Sequence, residues 1–156
     1  MSDYYPLSSG KLWIYVSITF SAPPAIAQTV RKLISLKQDG KRILAMVEER
    51  RMGNPPFTYE IIKDQLGVHS QGRLILPASP KLHDRWDDSS RYPYCSVESL
   101  NASIQTPGGL IERCLKVMAT DENTGSIERF YAPNEGLVYE KYVGEESSWV
   151  NFLVRR

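Results

Sequence analysis

"KLWIYVSITF", residues 11–20, alternates without interruption: Leu12, Ile14, Val16, Ile18 and Phe20 are apolar, and Trp13, Tyr15, Ser17 and Thr19 separate them. A period of two residues marks a strand with one buried face, because successive side chains leave the pleated backbone on opposite sides. The unbroken apolar series assigns the even positions to the core. Trp13 and Tyr15 then project from the other face, either packed under a loop or lining the concave side of a curved sheet. Followed by "SAPPAIA" (residues 21–27), the stretch also has the outline of a secretory signal. Asp3, Tyr4 and Tyr5 stand where such a signal carries a basic segment, so a strand is the better reading.

The chain repeats this pattern downstream. "TVRKLISLKQ" (29–38) and "KRILAMVEERR" (41–51) flank Asp39-Gly40, a strong hairpin signal because a type I′ turn needs positive φ at both central residues. Pairing Gln38 with Lys41 sets Leu36 beside Ile43 and Ile34 beside Ala45. "FTYEIIKDQLGV" (57–68) reads as a further strand, with a short helical turn as the alternative, and "RLILP" (73–77) as a short strand. Residues 77–93, rich in proline and polar groups, form the longest irregular connection. "YCSVESLNASI" (94–104) and "LIERCLKVMA" (110–119) bracket "QTPGG". Pairing Gln105 with Leu110 sets Ile104 against Ile111, Ala102 against Arg113 and Leu100 against Leu115. Cys114 then faces Asn101, and Cys95 lies roughly 20 Å further along, beyond the ~7 Å Cα separation of a disulfide.

"TDENTGS" (120–126) turns the chain into Ile127–Tyr131, and Pro133-Asn134-Glu135-Gly136 forms a corner before Leu137–Val143. Pro133 presets φ and Gly136 supplies a positive one, so both have geometric roles without any substrate. Short turns between period-two segments describe an all-β antiparallel meander spanning 1–156 as one domain. Helix is expected to be minor, confined to one or two short pieces in 21–28 or 60–92.

Composition narrows the function classes. With 19 Lys+Arg against 18 Asp+Glu and no long run of either sign, the net charge is +1, which gives no basis for bulk attraction to nucleic acid or an anionic membrane. No apolar run approaches the ~18 residues that span a bilayer as a helix. The two cysteines form no Cys-x-x-Cys pair, and Cys114 reads as a small buried hydrophobe. No nucleophile elbow, phosphate-binding loop, dinucleotide fingerprint or His-Glu-x-x-His motif occurs. No cofactor is implied. Glu48, Glu49, Arg50 and Arg51 read as a mixed-sign solvated face.

Three stretches carry a resemblance. "FYAPNEGLVYEKY" (130–142) is similar to the Tyr-Tyr-Ala-Pro-x-x-Gly-Leu-Val stretch of TapB-like exported bacterial proteins, whose biochemical activity is unassigned. "YPLSSGKLWIY" (5–15) resembles the opening of that group, and "TPGGLIERCLKV" (106–117) its Thr-Pro-x-Gly-x-x-x-x-Cys-x-Lys-Val hairpin. Residues 21–94 match little, and the group's signal peptide or lipoprotein cysteine has no counterpart. The resemblance implies a strongly curved antiparallel sheet, a half-barrel or incomplete barrel of the kind seen in envelope lipoproteins. It also implies a periplasmic or cell-envelope location, with a cytoplasmic one as the alternative.

Two functions follow as expectations. The first is a non-enzymatic binding or assembly module of the envelope, using Trp13 and Tyr15 beside the loop around Trp86 to meet a lipid, a glycan or an envelope protein. Full burial of the two rings would return them to a packing role. The second is a metal-dependent hydrolase built on "LHDRWDD" (82–88), where His83, Asp84, Asp87 and Asp88 supply imidazole and carboxylate groups. A mobile loop seldom holds ligands tightly enough for such a site, and the first reading is preferred. His69 reads as a solvated turn residue.

Overall fold

The computed structural model describes residues 2–88, 94–121 and 125–154. Twelve strands form: β1 (Leu12–Thr19), β2 (Ala25–Asp39), β3 (Arg42–Arg51), β4 (Phe57–Lys63), β5 (Gly67–Ser70), β6 (Arg73–Pro77), β7 (Arg85–Trp86), β8 (Tyr94–Thr106), β9 (Gly109–Thr120), β10 (Ser126–Ala132), β11 (Gly136–Val143) and β12 (Ser148–Leu153). No helix occurs among the described residues, so the minor helix allowed for 21–28 or 60–92 is not found there. The residues from 89 to 93 in the long connection, and 122–124 in the "TDENTGS" turn, lie outside the described residues.

All twelve strands belong to one antiparallel sheet in the order β6-β5-β4-β3-β2-β1-β12-β11-β10-β9-β8-β7. Each strand pairs with its successor in sequence except β6, which does not pair with β7; the first and last strands pair instead, with Val16 opposite Phe152 and Ile18 opposite Val150. The sheet therefore curls into a nearly closed barrel with one unsealed seam, between β6 and β7. Trp86 spans that seam. Its indole N–H donates to the Leu74 carbonyl of β6 at 3.2 Å, while its backbone pairs opposite Cys95 of β8.

The face expected for β1 is reversed. Trp13 and Tyr15 are 7% and 2% exposed, whereas Leu12 and Phe20 are 41% and 53% exposed. The odd positions point into the barrel and join Leu33, Val47, Ile61, Val97, Leu115, Val117 and Tyr131 in the main core. The even positions lie on the outside, where they meet even residues of β2 and β12: Ile14 is opposite Val30, and Ile18 opposite both Ile26 and Val150. Both faces of the segment are apolar, so period alone does not say which one faces inward.

The first hairpin is displaced by two residues from its expected register. Asp39 pairs with Arg42, Gln38 with Ile43 and Leu36 with Ala45. The turn is Gly40-Lys41, with positive φ at Gly40 (60°) and none at Lys41, as in a type II′ turn with glycine first. A bulge between Leu33 and Ser35 then switches the parity of β2. Ile34, expected beside Ala45, is exposed, and Leu33 takes the core position.

The second hairpin keeps its expected register near the turn, with Gln105 opposite Leu110 and Ile104 opposite Ile111. Irregularities between Val97 and Ile104 then shift it, so Cys114 faces Ala102 and not Asn101, and Arg113 takes a positive φ of 57°. Leu100 is exposed while Leu115 is fully buried, so these two do not share a face as expected. Cys114 is fully buried, in a second cluster with Ile111, Phe130, Ala132 and Val138. Cys95 and Cys114 are both buried and form no disulfide with each other.

The Pro133–Gly136 corner is the tight turn that its residues specify: Asn134 and Gly136 have φ of 62° and 98°, and Ala132 pairs with Gly136. It is also a docking point. The Asn134 N–H donates to the Asp3 carbonyl at 2.6 Å, and Lys63 at the end of β4 donates to the Asp3 carboxylate (2.7 Å) and the Tyr5 carbonyl (2.9 Å). The segment before β1 thus forms a strap between the end of β4 and the β10–β11 corner, with Tyr4, Tyr5 and Leu7 packed against the main core.

If Trp86 holds the seam, Trp86→Phe is expected to lose about 1 kcal/mol of stability with its hydrogen bond. Trp86→Ala should lose about 3 kcal/mol or more with the ring, measured by urea unfolding. Wild-type stability in Trp86→Ala would show that the seam does not depend on this residue.

Candidate functional site

Inside the barrel lies a cavity of about 360 Å³, within the size range of small-molecule sites. One end is shut by the strap, whose Tyr5 is part of the cavity wall. Because consecutive strands run in opposite directions, the β3–β4 and β5–β6 turns lie at the other end. There Arg51, Phe57, Gln71 and Arg73 form the mouth, with Arg51 and Phe57 substantially exposed.

The aromatic wall is fixed by backbone acceptors. Trp13 Nε1–H donates to the Glu135 carbonyl at 3.0 Å, and the Tyr15 hydroxyl to the Leu137 carbonyl at 2.9 Å. These bonds satisfy the polar atoms that burial of each ring would otherwise strand. They also tie β1 to the corner on β11.

Two polar ladders cross the inner face, each made by cross-strand register. On one side Arg31 is opposite Glu49, and Glu49 opposite Phe57. The Glu49 carboxylate accepts from Arg31 Nε at 2.8 Å and from Arg51 Nε at 2.6 Å, with the Tyr59 hydroxyl at 3.4 Å. The Arg31 guanidinium also lies 5.0 Å from the centre of the Tyr15 ring. On the other side Ser17, Asn151, Glu140 and Arg129 are successive partners on β1, β12, β11 and β10. Ser17 and Asn151 are joined at 3.0 Å, Asn151 Nδ2 donates to Glu140 at 3.1 Å, and Arg129 Nε to Glu140 at 3.4 Å.

The electrostatics follow from this enclosure. Burial pushes the Glu49 carboxyl up, but the adjacent Arg31 charge and the hydrogen bonds from Arg51 and Arg31 outweigh it and hold the group below the usual carboxylate range. Burial pushes the Tyr15, Tyr59 and Tyr131 hydroxyls well above the ordinary phenol range, with Arg31 or Arg129 opposing it only in part. Those hydroxyls are neutral donors at any physiological pH. Burial, reinforced by Asp88, pushes the Cys95 thiol up to about 11, which leaves it protonated and a poor nucleophile.

Of the residues proposed from sequence, Trp13, Tyr15 and Asp88 line the same cavity, and Trp86 packs against the core cluster that contains Trp13 and Tyr15. Trp13 and Tyr15 are buried in their own core and are not offered to a partner on an outer surface; they are cavity wall. Trp86 lies on the seam. Among His83, Asp84, Asp87 and Asp88, Asp84 caps its own turn by accepting from the Lys81 N–H at 2.8 Å, and buried Asp88 faces the lumen. Among the described residues no group of three or more His, Cys, Asp or Glu is placed to hold a metal. His69 contacts Asp64 at 3.3 Å and is not solvated alone. Glu49, expected on a solvated face with Glu48, Arg50 and Arg51, is 2% exposed; only Glu48 and Arg50 form an exterior pair. Sequence reasoning missed Arg31, Glu49, Arg129 and Glu140. Their one sequence signal is a charged residue at the inward parity of an otherwise apolar strand.

Two solved structures resemble the whole chain. One is a putative exported protein with a YmcC-like fold from Bacteroides fragilis, 14% identical with a TM-score of 0.60 and 99% of each chain covered. The other is a putative lipoprotein from Parabacteroides distasonis, 12% identical with a TM-score of 0.57 and 97% of each chain covered. At such identity the likeness is one of fold. No protein-family model and no curated protein matches the chain.

Glu49 is a buried carboxylate shared by two guanidiniums, so Glu49→Gln is expected to destabilise the fold by about 3–5 kcal/mol at neutral pH. Glu48→Gln, at an exposed pair, should cost less than about 1 kcal/mol. Because the Glu49 pKa is depressed on folding, its contribution is complete above the ordinary Glu value of about 4.3 and disappears as pH falls through the folded value. The stability gap between wild type and Glu49→Gln, measured by urea unfolding, should therefore narrow on acidification below that value.

Proposed function

We propose that this chain is a non-enzymatic binding module of the bacterial cell envelope, and that its ligand occupies the barrel lumen. The observation that carries the reading is the cavity: about 360 Å³ of space lined by charged and aromatic side chains, in a sheet of twelve strands, more than the roughly eight whose closed interior side chains just fill. Buried ionic networks are costly compared with a packed apolar core, so a lumen built this way favours a role other than stability.

The envelope location is supported by the two structural neighbours, described as exported and as a lipoprotein. The TapB-like motifs at 5–15, 106–117 and 130–142 point the same way. Two of those stretches meet in space, since Trp13 of the first binds the Glu135 carbonyl of the third. The catalytic alternative has less support: among the described residues the 83–88 groups do not converge on a metal, and Glu49 and Glu140 are engaged by arginines.

Mass spectrometry of the natively purified protein tests this reading. A small molecule that stays bound under native conditions, leaves on denaturation and is lost in Ser70→Phe, which puts a larger side chain on the lumen wall and whose folding is checked by circular dichroism, is the expected result. A bound molecule that persists in that variant would place the ligand elsewhere and contradict the proposal.

A further inference from the structure

We infer that the lumen ligand carries an anionic group, a carboxylate or a phosphate, held at the mouth by Arg51 and Arg73 with the rest of the molecule against the aromatic wall. This rests on the reading of the lumen as the ligand site and specifies its chemistry.

Charge balance on the β2–β6 side of the lumen is the first argument. Glu49 answers two guanidiniums, Arg31 and Arg51, which leaves that group with one uncompensated positive charge. Arg73 lines the same cavity from the first position of β6, paired through its backbone opposite Ser70, and has no acidic partner among the described residues. Counted over the whole cavity wall, Arg31, Arg51, Arg73 and Arg129 exceed Glu49, Asp88 and Glu140 by one positive charge, and Arg51 and Arg73 stand at the mouth. Guanidinium forks match the planar or tetrahedral oxygens of carboxylate and phosphate.

The hydroxyl inventory is the second argument. Tyr5 and Tyr131 line the cavity, and neither hydroxyl has a hydrogen-bond partner among the described residues. No fully enclosed side-chain polar atom of the described residues lacks a partner, so both hydroxyls border open cavity space. Burial keeps both protonated, which makes them neutral donors directed at whatever fills the lumen.

Elsewhere in the lumen Glu140 is engaged by Arg129 and Asn151. Buried Asp88 follows β7, across the seam from the β6 strand that carries Arg73, and it helps hold Arg129 charged. An anion at the mouth balances the excess charge of the Arg31–Glu49–Arg51 group.

Four naphthalene probes that differ only in their polar end test the inference by fluorescence titration of the full chain: naphthylacetate, naphthyl phosphate, the uncharged naphthylacetamide and the cationic naphthylmethylammonium. Both anions are expected to bind about tenfold or more tightly than the amide, and their ranking distinguishes carboxylate from phosphate. Arg73→Gln should cut that advantage without lowering thermal stability, and Tyr131→Phe should weaken all four probes. Equal or tighter binding of the amide or the cation overturns the anion inference and leaves the lumen as a ligand site. Absence of binding by all four overturns both.

Discussion

The pairing of β1 with β12 is the constraint on which the rest of the structure depends. It places the two ends of the chain side by side in the middle of the sheet. The free edges therefore come from the middle of the sequence, at β6 and β7. Exposed strand edges invite pairing with other chains, and here both are short and face each other across a seam bridged by the Trp86 indole. A β1 seated between β2 and β12 also fixes which of its faces looks inward. That choice sends Trp13 and Tyr15 to the β10–β11 corner and puts Ser17 on the Asn151–Glu140–Arg129 ladder.

The interior that results is divided. An apolar cluster of Leu33, Val47, Ile61, Leu115 and Val117 provides the burial that drives folding. The two polar ladders occupy inward positions that the same registers would allow to be apolar. Each ladder is largely self-satisfied, which limits the desolvation penalty of its charges. Around Glu49 the compensation is incomplete in a definite direction, one carboxylate answering two guanidiniums.

The all-β meander was legible because it rests on local signals: period-two alternation, glycine at turns, and the Pro133–Gly136 corner. The strand faces were less legible. Leu12–Ile18 and Trp13–Tyr15 are both apolar sets, and only the identity of the neighbouring strands decides between them. The register near the second turn followed from turn chemistry, at Gln105 and Leu110, but failed past the irregularities near Ala102, because a bulge depends on distant twist and leaves little local trace. In the first hairpin the register failed at the turn itself: the turn residues are Gly40-Lys41, glycine first, and not Asp39-Gly40. The site was the least legible part. Arg31 and Glu49 are 18 residues apart, Arg129 and Glu140 are on separate strands, and nothing in a string of residues distinguishes an inward charge from a solvated one before the barrel closes.

Amide hydrogen exchange, resolved by residue, tests the closure by β1 and β12 most directly. Amides in the β1–β12 ladder, such as those of Val16 and Phe152, are predicted to exchange only through global unfolding, with protection equal to the full stability of the protein. Amides of β6 and β7 at the seam should exchange through local opening at lower free energy. Fast exchange along β1 and β12, with the slowest amides in β6 and β7, would contradict the account.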